Sequence, residues 1–190
     1  MARTGSEKSK AAILSAAEQL FAAEGFSATS VDDIAKAAGV NKALIYYYFK
    51  SKENLLYCLF RTIYEDLTVR LAPQNDAAPS VASLNADFAV VEKKKNILTV
   101  LLMESMRSAK ASGFLFETCE KMAGPQLKNK NLSPKARNKI LIREFYSGIM
   151  PYLSFLIFQE KWCTHFKCSP KQTKEDFADI FLRMHVEDDK

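Results

Sequence analysis

One short segment of this chain carries side chains that suit nucleic-acid recognition. It begins with Asn41 and Lys42 and continues into three consecutive tyrosines at 46–48. A helix that starts with a capping residue and a lysine and carries aromatic rings can enter a DNA groove. Lys50 and Lys52 follow directly and could bind phosphates. DNA binding is therefore the first hypothesis.

Local helix signals surround this segment. Ser30 followed by Asp33 is a Ser-x-x-Asp start signal, in which the hydroxyl caps a backbone N–H and the carboxylate favours the positive end of the helix. Gly39 can adopt the left-handed backbone of a C-terminal cap, and Asn41 can cap the next helix. We assign Asp32 to capping as well, because a carboxylate that faced DNA would repel it. The pattern predicts a helix-turn-helix, two short helices that meet at a glycine.

The same segment resembles the DNA-binding domain of the TetR (tetracycline-repressor-like) family of bacterial transcriptional regulators. The matching features cover roughly the first 60 residues in the family's order: AAEQLFAAEGFSATSVDDIAKAAGV, a helix ending in YYYF, and KSKENLL. A weaker resemblance lies at 145–166, which is similar to the penultimate long helix of some family members. The resemblance implies a ligand-responsive regulator, by default a repressor. Such a protein binds a palindromic operator as a homodimer and is released by a small molecule.

The resemblance and the helix positions together give a set of expected DNA contacts. Lys42, at the exposed start of the second helix, is the best candidate for a base or phosphate contact. Tyr46 and Tyr47 match positions from which the family places aromatic rings on the sugar-phosphate backbone and thymine methyl groups, whereas we expect Tyr48 to be core. Lys52 resembles the family's phosphate-binding lysine. Either lysine could instead be a plain surface charge, and for Ser30 capping alone is an equal alternative. The expected set is Thr29, Ser30, Lys42, Ala43, Leu44, Tyr46, Tyr47 and Lys52.

Composition predicts an all-α fold. The 190 residues include 48% apolar residues but only six Gly and six Pro, and alternating β-branched runs are few. We expect an N-terminal three-helix helix-turn-helix DNA-binding domain at 1–50 and a larger helical effector-binding and dimerisation domain at 51–190. The net charge is +5, yet residues 1–60 hold seven Lys or Arg against six Asp or Glu. DNA affinity must therefore come from individually placed cations and helix N-termini.

Helical periodicity predicts the remaining elements. No signal-peptide pattern opens the chain, and no apolar run is long enough to cross a bilayer, since Pro151 interrupts the longest at 149–158. We therefore expect a cytoplasmic protein with no membrane partner. The predicted helices are 7–24, 51–71, 81–93, 97–109, 114–122, 134–162 with a kink at Pro151, and 172–184; the predicted connections are a loop at 72–80, a turn or solvated end at 92–96, and a loop at 124–134.

The last two predicted helices are candidates for self-association. Apolar residues recur on both at three- and four-residue steps. A single domain could also bury them internally, and the pattern alone leaves that alternative open. The resemblance favours dimerisation, because family members pack two such helices from each subunit into a four-helix bundle. The expected interface residues are Ile149, Met150, Leu153, Ile157, Phe158, Phe177, Ile180, Phe181 and Met184.

The resemblance also implies a small-molecule pocket in the C-terminal domain. Met and Phe at helical spacing are more often core than pocket, but as a set they suggest a lipophilic or aromatic effector. Glu104, Arg107 and Tyr146 are candidate polar anchors. The expected liners are Leu102, Met103, Met106, Arg107, Phe114, Phe116, Met122, Tyr146, Met150 and Phe155.

Two further classes of chemistry were weighed. Cys163, His165 and Cys168 lie within six residues and could begin a zinc site or a redox switch. No fourth ligand is evident nearby, so we expect incidental thiols, no metal and no cofactor. The chain has two histidines and no nucleophile-elbow, metalloprotease or phosphate-loop motif, so we expect no enzyme. A helical adaptor would not need lysines on both sides of an aromatic helix.

Overall fold

The computed structural model of the protein describes residues 2–70, 80–128 and 131–186. Within these residues every regular element is a helix, which confirms the all-α prediction. The helices are α1 (Ala2–Glu24), α2 (Val31–Ala38), α3 (Lys42–Phe49), α4 (Lys52–Arg70), α5 (Val81–Val91), α6 (Lys95–Ser105), α7 (Ala109–Met122), α8 (Gly124–Leu127), α9 (Pro134–Arg143), α10 (Met150–Phe166) and α11 (Pro170–Val186), with a 3₁₀ turn at Glu92–Lys94 and a π-helical turn at Glu144–Ile149.

The chain divides into two compact units. The first comprises Met1–Val69 and Asn96–Ala111, and the second comprises Arg70–Lys95 and Ser112–Lys190. The first unit is thus larger than the domain expected at 1–50. It takes in almost all of α4 and α6, because the apolar side of α4 is buried in the same unit.

Helix α2 begins and ends where the capping signals in the sequence predicted. The Ser30 hydroxyl accepts a hydrogen bond from the Asp33 backbone N–H at 3.1 Å, and the Asp33 carboxylate accepts one from the Ser30 N–H at 3.0 Å. These bonds complete the capping box. The hydrogen bonds from Ser30, first that of its hydroxyl, hold the pKa of Asp33 below its usual value. Gly39 ends the helix with φ of 64°, where a residue with a Cβ would be strained.

The core of the first unit joins the two short helices to α1 and α4. Helix α1 packs on α2, and the rings of Phe21 and Phe26 lie 5.3 Å apart just where α1 ends. Each fully buried Ile, Leu or Phe side chain contributes roughly 1.5–3 kcal/mol to stability. The apolar side chains of α1–α4 that are at most 2% exposed are Ile13, Ala17, Phe21, Ile34, Ile45, Phe49, Leu55, Leu56, Leu59 and Phe60.

Aromatic rings form much of the core of the second unit. Phe88, on α5, is buried and stacks on Tyr152 of α10 with ring centroids 4.6 Å apart. Phe155 of α10 stacks on Phe177 of α11 at 4.0 Å. Burial, and then the nearby Asp87 carboxylate, raises the pKa of Tyr152 well above its usual range. These ring contacts hold α5, α10 and α11 together.

The segment 92–96, predicted as a turn or a solvated end, is a helical turn between two helices. Glu92 opens a single 3₁₀ turn, and α6 begins at Lys95, so the chain stays helical between α5 and α6. The Glu92 carboxylate accepts hydrogen bonds from Gln159 at 3.1 Å and from Lys174 at 3.0 Å. Gln159 is 5% exposed, so the Glu92 carboxylate makes its hydrogen bonds inside the second unit. Composition alone could not reveal these partners.

Other boundaries differ from the predictions as well, beginning with α1, which starts at Ala2 rather than at residue 7. Helix α6 ends at Ser105, before the predicted 109, and α7 begins at Ala109 rather than 114. The predicted loop at 124–134 contains the one-turn helix α8, and its residues 129–130 lie outside the described residues. The predicted loop at 72–80 lies outside them as well, apart from Ser80. Helix α8 was not predicted; for the other helices the errors are at their ends.

The predicted long helix at 134–162 is present and extends to Phe166. Its irregularity lies just before Pro151, in the π-helical turn, because proline has no N–H to offer the carbonyl four residues earlier. In the described residues, Pro134–Phe166 is long and apolar enough to cross a membrane, judged by length and composition only. The sequence prediction missed this run because it treated Pro151 as an interruption.

Candidate nucleic-acid interface

Helix α3 presents one polar and aromatic face to solvent. The Asn41 side chain caps it by accepting a hydrogen bond from the Ala43 N–H at 2.9 Å. Ile45 and Phe49 anchor the opposite face in the core at 1% and 2% exposure. The exposed face therefore has a fixed orientation, and its members are Lys42, Ala43, Tyr46 and Tyr47, with Leu44 half-buried beside them.

The three tyrosines separate as expected. Tyr46 is 43% exposed and Tyr47 is 69% exposed. Tyr48 is half-buried, and its hydroxyl donates a hydrogen bond to the Ser6 hydroxyl at 3.0 Å, which ties α3 to α1. The Lys50 ammonium lies 5.6 Å from the centre of the Tyr47 ring. Two aromatic rings and a nearby cation thus point outward from the same helix.

Lys42 forms an ion pair that the sequence did not predict. Its ammonium donates a hydrogen bond to the Asp32 carboxylate at 2.7 Å, and both side chains remain largely exposed. This hydrogen bond raises the pKa of Lys42 above its usual value. Asp32 had been assigned to helix capping alone. Instead, the Asp32 carboxylate links the two helices of the motif. It forms an ion pair with Lys42, the cation expected to contact DNA.

The structure does not support Thr29 as a phosphate contact. Thr29 is 1% exposed, and its hydroxyl donates to the Gly25 carbonyl at 2.9 Å. Its backbone N–H donates to the same carbonyl at 3.3 Å. The hydroxyl and the backbone N–H of Thr29 are therefore already used inside the domain. Ser30 is exposed, and its hydroxyl also donates to Asp33, so its capping role is confirmed.

Lys52 also differs from its expected role. Its ammonium donates hydrogen bonds to the Phe26 and Thr29 carbonyls, both at 2.9 Å, and lies 4.4 Å from the centre of the Phe26 ring. The side chain is half-buried. Two carbonyls and a ring face satisfy this cation, so Lys52 binds the loop between α1 and α2 to the start of α4.

Lys52→Met is expected to lower the free energy of unfolding by about 1.5–3 kcal/mol, the range for hydrogen bonds to a charged group. Methionine keeps the apolar stem but leaves the two carbonyls without their donor. Lys50→Met removes the same charge from an exposed position and should have a small effect. Urea denaturation of both variants gives the comparison. Unchanged stability with weaker DNA binding would restore the phosphate-contact assignment.

The expected dimer residues divide into two groups. Ile149 and Leu153 are each 8% exposed, and Phe177 stacks on Phe155, so these three belong to the core of the second unit. Met150, Ile157 and Phe181 are half-buried. Phe158, Ile180 and Met184 are exposed, and the structure adds two exposed rings that the sequence prediction missed. The exposed large apolar residues of α10 and α11 are Phe158, Trp162, Phe166, Ile180 and Met184.

None of the ten expected effector liners is buried. Six of the ten are exposed, and Leu102, Phe114, Met150 and Phe155 are half-buried. One groove in the second unit has a volume of about 460 Å³ and contains none of the expected liners. Its walls are mainly charged and do not suit a lipophilic ligand; they are Glu117, Glu120, Lys121, Gly124, Leu127, Lys128 and Arg137.

The cluster around Cys163 does not resemble a metal site. His165 is exposed and packs edge-on against Phe166, whereas Cys163 is buried. Over the described stretches of chain, no group of three or more His, Cys, Asp or Glu residues could hold a metal ion.

Known proteins match this chain most clearly at the helix-turn-helix. A family model described as bacterial regulatory proteins, tetR family, matches residues 13–57, which include all of α2 and α3. These residues belong to the DNA-binding domain of the TetR family. RutR, an HTH-type transcriptional regulator of Escherichia coli K12, is 44% identical over 77 residues, which are 38% of this chain and 35% of RutR. The matched segment thus spans about a third of the relative's length.

Solved structures extend the similarity to the second unit. Native NalD, the secondary repressor of the MexAB-OprM multidrug efflux pump in Pseudomonas aeruginosa, is 28% identical with a TM-score of 0.54; the match covers 94% of this chain and 97% of NalD. A transcriptional regulator from Rhodococcus sp. Rha1 reaches a TM-score of 0.68 at 15% identity, over 94% of this chain and 96% of its own. The TetR-family fold therefore extends through both units.

Proposed function

We propose that this TetR-family protein represses transcription by binding a palindromic operator as a homodimer. The observation that carries the proposal is the exposed face of α3. Its opposite side is locked in the core by Ile45 and Phe49, while Lys42, Tyr46 and Tyr47 face solvent. A rigid helix with this face is what the major groove accepts. The similarity to the repressor NalD supports repression rather than activation.

The proposed contacts are fewer than the sequence first suggested. Lys42 donates to a base edge or a phosphate, Tyr46 and Tyr47 pack on the backbone and thymine methyl groups, and Ala43 allows close approach. Leu44 and Ser30 lie at the edge of this surface. Because the N-terminal residues are nearly neutral in charge, the shape of the operator carries much of the specificity.

A two-fold dimer presents two copies of α3 to the operator. The exposed rings of Phe158, Trp162 and Phe166 recur at four-residue steps on α10, so they share one side of that helix. Ile180 and Met184 are exposed, lie four residues apart and share one side of α11. Large apolar patches on a protein surface mark interaction sites. A second copy that covers them gives a symmetric interface and repeats every DNA contact at the second half-site.

A small lipophilic or aromatic effector would release the operator. Such a ligand acts by binding the conformation that does not bind DNA more tightly than the one that does. The expected pocket and its polar anchors stay a prediction. To form that pocket, the half-buried and exposed liners would have to close around the ligand. The protein acts in the cytoplasm in this proposal, since its operator is there.

A mobility-shift assay with the DNA upstream of the protein's own gene tests this function. Two protein chains should bind one operator duplex with a dissociation constant of about 10⁻⁸ M or lower at physiological salt, at least about 10³-fold tighter than to unrelated DNA. Lipophilic and aromatic compounds are then titrated into the complex. Equal affinity for operator and unrelated DNA would contradict the proposal.

A further inference from the structure

Two cysteines face each other across the turn between α10 and α11. Helix α10 ends at Phe166, and Lys167 adopts left-handed backbone with φ of 52° and ψ of 41°. The Cys168 N–H then donates to the Cys163 carbonyl at 3.2 Å. This bond is the one that defines a Schellman cap, and the side chains of the two residues that it joins commonly pack together.

The two thiols share one hydroxyl group. The Cys163 sulfur lies 3.5 Å from the Thr173 hydroxyl oxygen, and the Cys168 sulfur lies 3.3 Å from the same atom. Because both sulfurs contact this one oxygen atom, they lie at most 6.8 Å apart. The Thr173 hydroxyl itself donates to the Ser169 carbonyl at 2.9 Å. It keeps that bond if both sulfurs move away, so pairing of the sulfurs leaves no buried donor without a partner.

The two thiols differ in access, and the other cysteines lack such a partner. Cys168 is half-buried, whereas Cys163 is 8% exposed. Cys119 is buried, and its thiol donates to the Leu141 carbonyl at 3.5 Å. Burial, and then the Glu144 and Glu120 carboxylates, raises the pKa of Cys119. An oxidant would therefore meet Cys168 first, with Cys163 beside it to resolve the product.

We propose that Cys163 and Cys168 form a reversible dithiol–disulfide site that hydroperoxides oxidise. The Cys168 thiolate attacks one peroxide oxygen, and the O–O bond breaks. The sulfur becomes a sulfenic acid, and the peroxide is reduced to water or an alcohol. The Cys163 thiolate then attacks that sulfur, the S–O bond breaks, and the hydroxide leaves as water after taking a proton. The backbone hydrogen bond between the two residues keeps their Cα atoms near each other, as a disulfide requires.

Peptide mapping can detect this disulfide because Lys167 lies between the cysteines. Trypsin separates the peptides 162–167 and 168–171 unless a disulfide joins them. The full-length folded protein is treated with a few equivalents of hydrogen peroxide, its remaining thiols are alkylated, and it is digested without reductant. The joined peptide should appear with a loss of two hydrogens, and dithiothreitol should remove it before digestion.

Matched variants and conditions make the test specific. Cys163→Ser and Cys168→Ser should each abolish the joined peptide, while Cys58→Ser together with Cys119→Ser should leave its yield unchanged. Three results would overturn the proposal: no joined peptide from folded protein, a joined peptide only after denaturation, or a disulfide that links two chains on a non-reducing gel. Conversion of Cys168 to a sulfinic acid in place of the disulfide would overturn it as well.

Discussion

Phe158→Glu is expected to yield a folded monomer. Phe158 is 54% exposed on α10, within the row of exposed rings proposed as the dimer interface. In a two-fold interface the substitution occurs twice, and each buried carboxylate without a partner costs about 3–5 kcal/mol. The dimer dissociation constant should therefore rise by about 10⁴-fold or more. Sedimentation velocity over a range of protein concentrations measures this shift.

Phe116→Glu is a closely matched control. Phe116 is also 54% exposed and lies on α7, which the proposed interface does not use. Its variant should remain dimeric, and circular dichroism should show both variants folded. A dimeric Phe158→Glu protein would contradict the proposed interface, and a monomeric Phe116→Glu protein would place it on α7. A wild-type chain that is monomeric and sediments with lipid vesicles would instead assign the apolar run Pro134–Phe166 to a membrane.

Loss of the dimer should also weaken operator binding. A monomer binds one half-site, so it loses the second recognition helix that the dimer holds at a fixed distance. The Phe158→Glu variant should bind a single half-site as well as the wild type does. Its affinity for the full palindrome should fall toward that single-site value. This comparison separates a defect in dimerisation from a defect in α3.

The helix-turn-helix could be predicted in detail because its determinants are local. The Ser30 capping box, the Gly39 turn and the Asn41 cap each depend on residues at most four positions away. Local hydrogen bonds of this kind are encoded by residue type and spacing. The same spacing placed Lys42, Tyr46 and Tyr47 on the outer side of α3, where the structure has them.

The roles of the lysines could not be predicted from spacing. Lys52 binds carbonyls 23 and 26 residues earlier in the chain, and Lys42 binds Asp32 ten residues earlier. These partners meet only after the helices pack. A lysine followed by a helix start looks the same in sequence whether its ammonium faces DNA or a loop. The resemblance therefore could not indicate that Lys52 binds the loop before α2.

The C-terminal helices show a different limit. Their apolar residues predicted helices correctly but not which side of each helix faces the core. Helix α10 is apolar around most of its circumference, so Leu153 and Phe158 look equivalent in sequence, yet one is 8% exposed and the other 54%. Trp162 and Phe166 were missed for the same reason. Only the packing of α5 and α11 against one side decides which residues remain exposed.

Lys42→Ala and Tyr47→Ala are expected to weaken operator binding with little change in thermal stability. Both side chains are largely exposed, so neither substitution opens a core cavity. Loss of one base-edge contact should cost roughly 5- to 150-fold per half-site, and the dimer loses the contact twice. Lys135→Ala, an exposed lysine on α9, controls for net charge. Wild-type affinity for both variants at fixed salt would show that α3 is not the recognition helix.

Asp32→Asn should have the opposite effect and strengthen operator binding. In the free protein the Asp32 carboxylate holds the Lys42 ammonium, and the same ammonium cannot serve a carboxylate and the operator fully at once. The carboxylate also repels phosphates. Asparagine removes both effects, so the affinity and the steepness of its salt dependence should rise. Asp32→Glu keeps the charge and serves as the control.

Combining Asp32→Asn with Lys42→Ala distinguishes the two effects of the carboxylate. If Asp32 acts by restraining Lys42, most of the gain should disappear once Lys42 is absent, and the two substitutions should not be additive. If Asp32→Asn gives an equal gain with and without Lys42, the carboxylate acts only through repulsion. In that case Lys42 is a solvated charge, and the tyrosines carry the recognition.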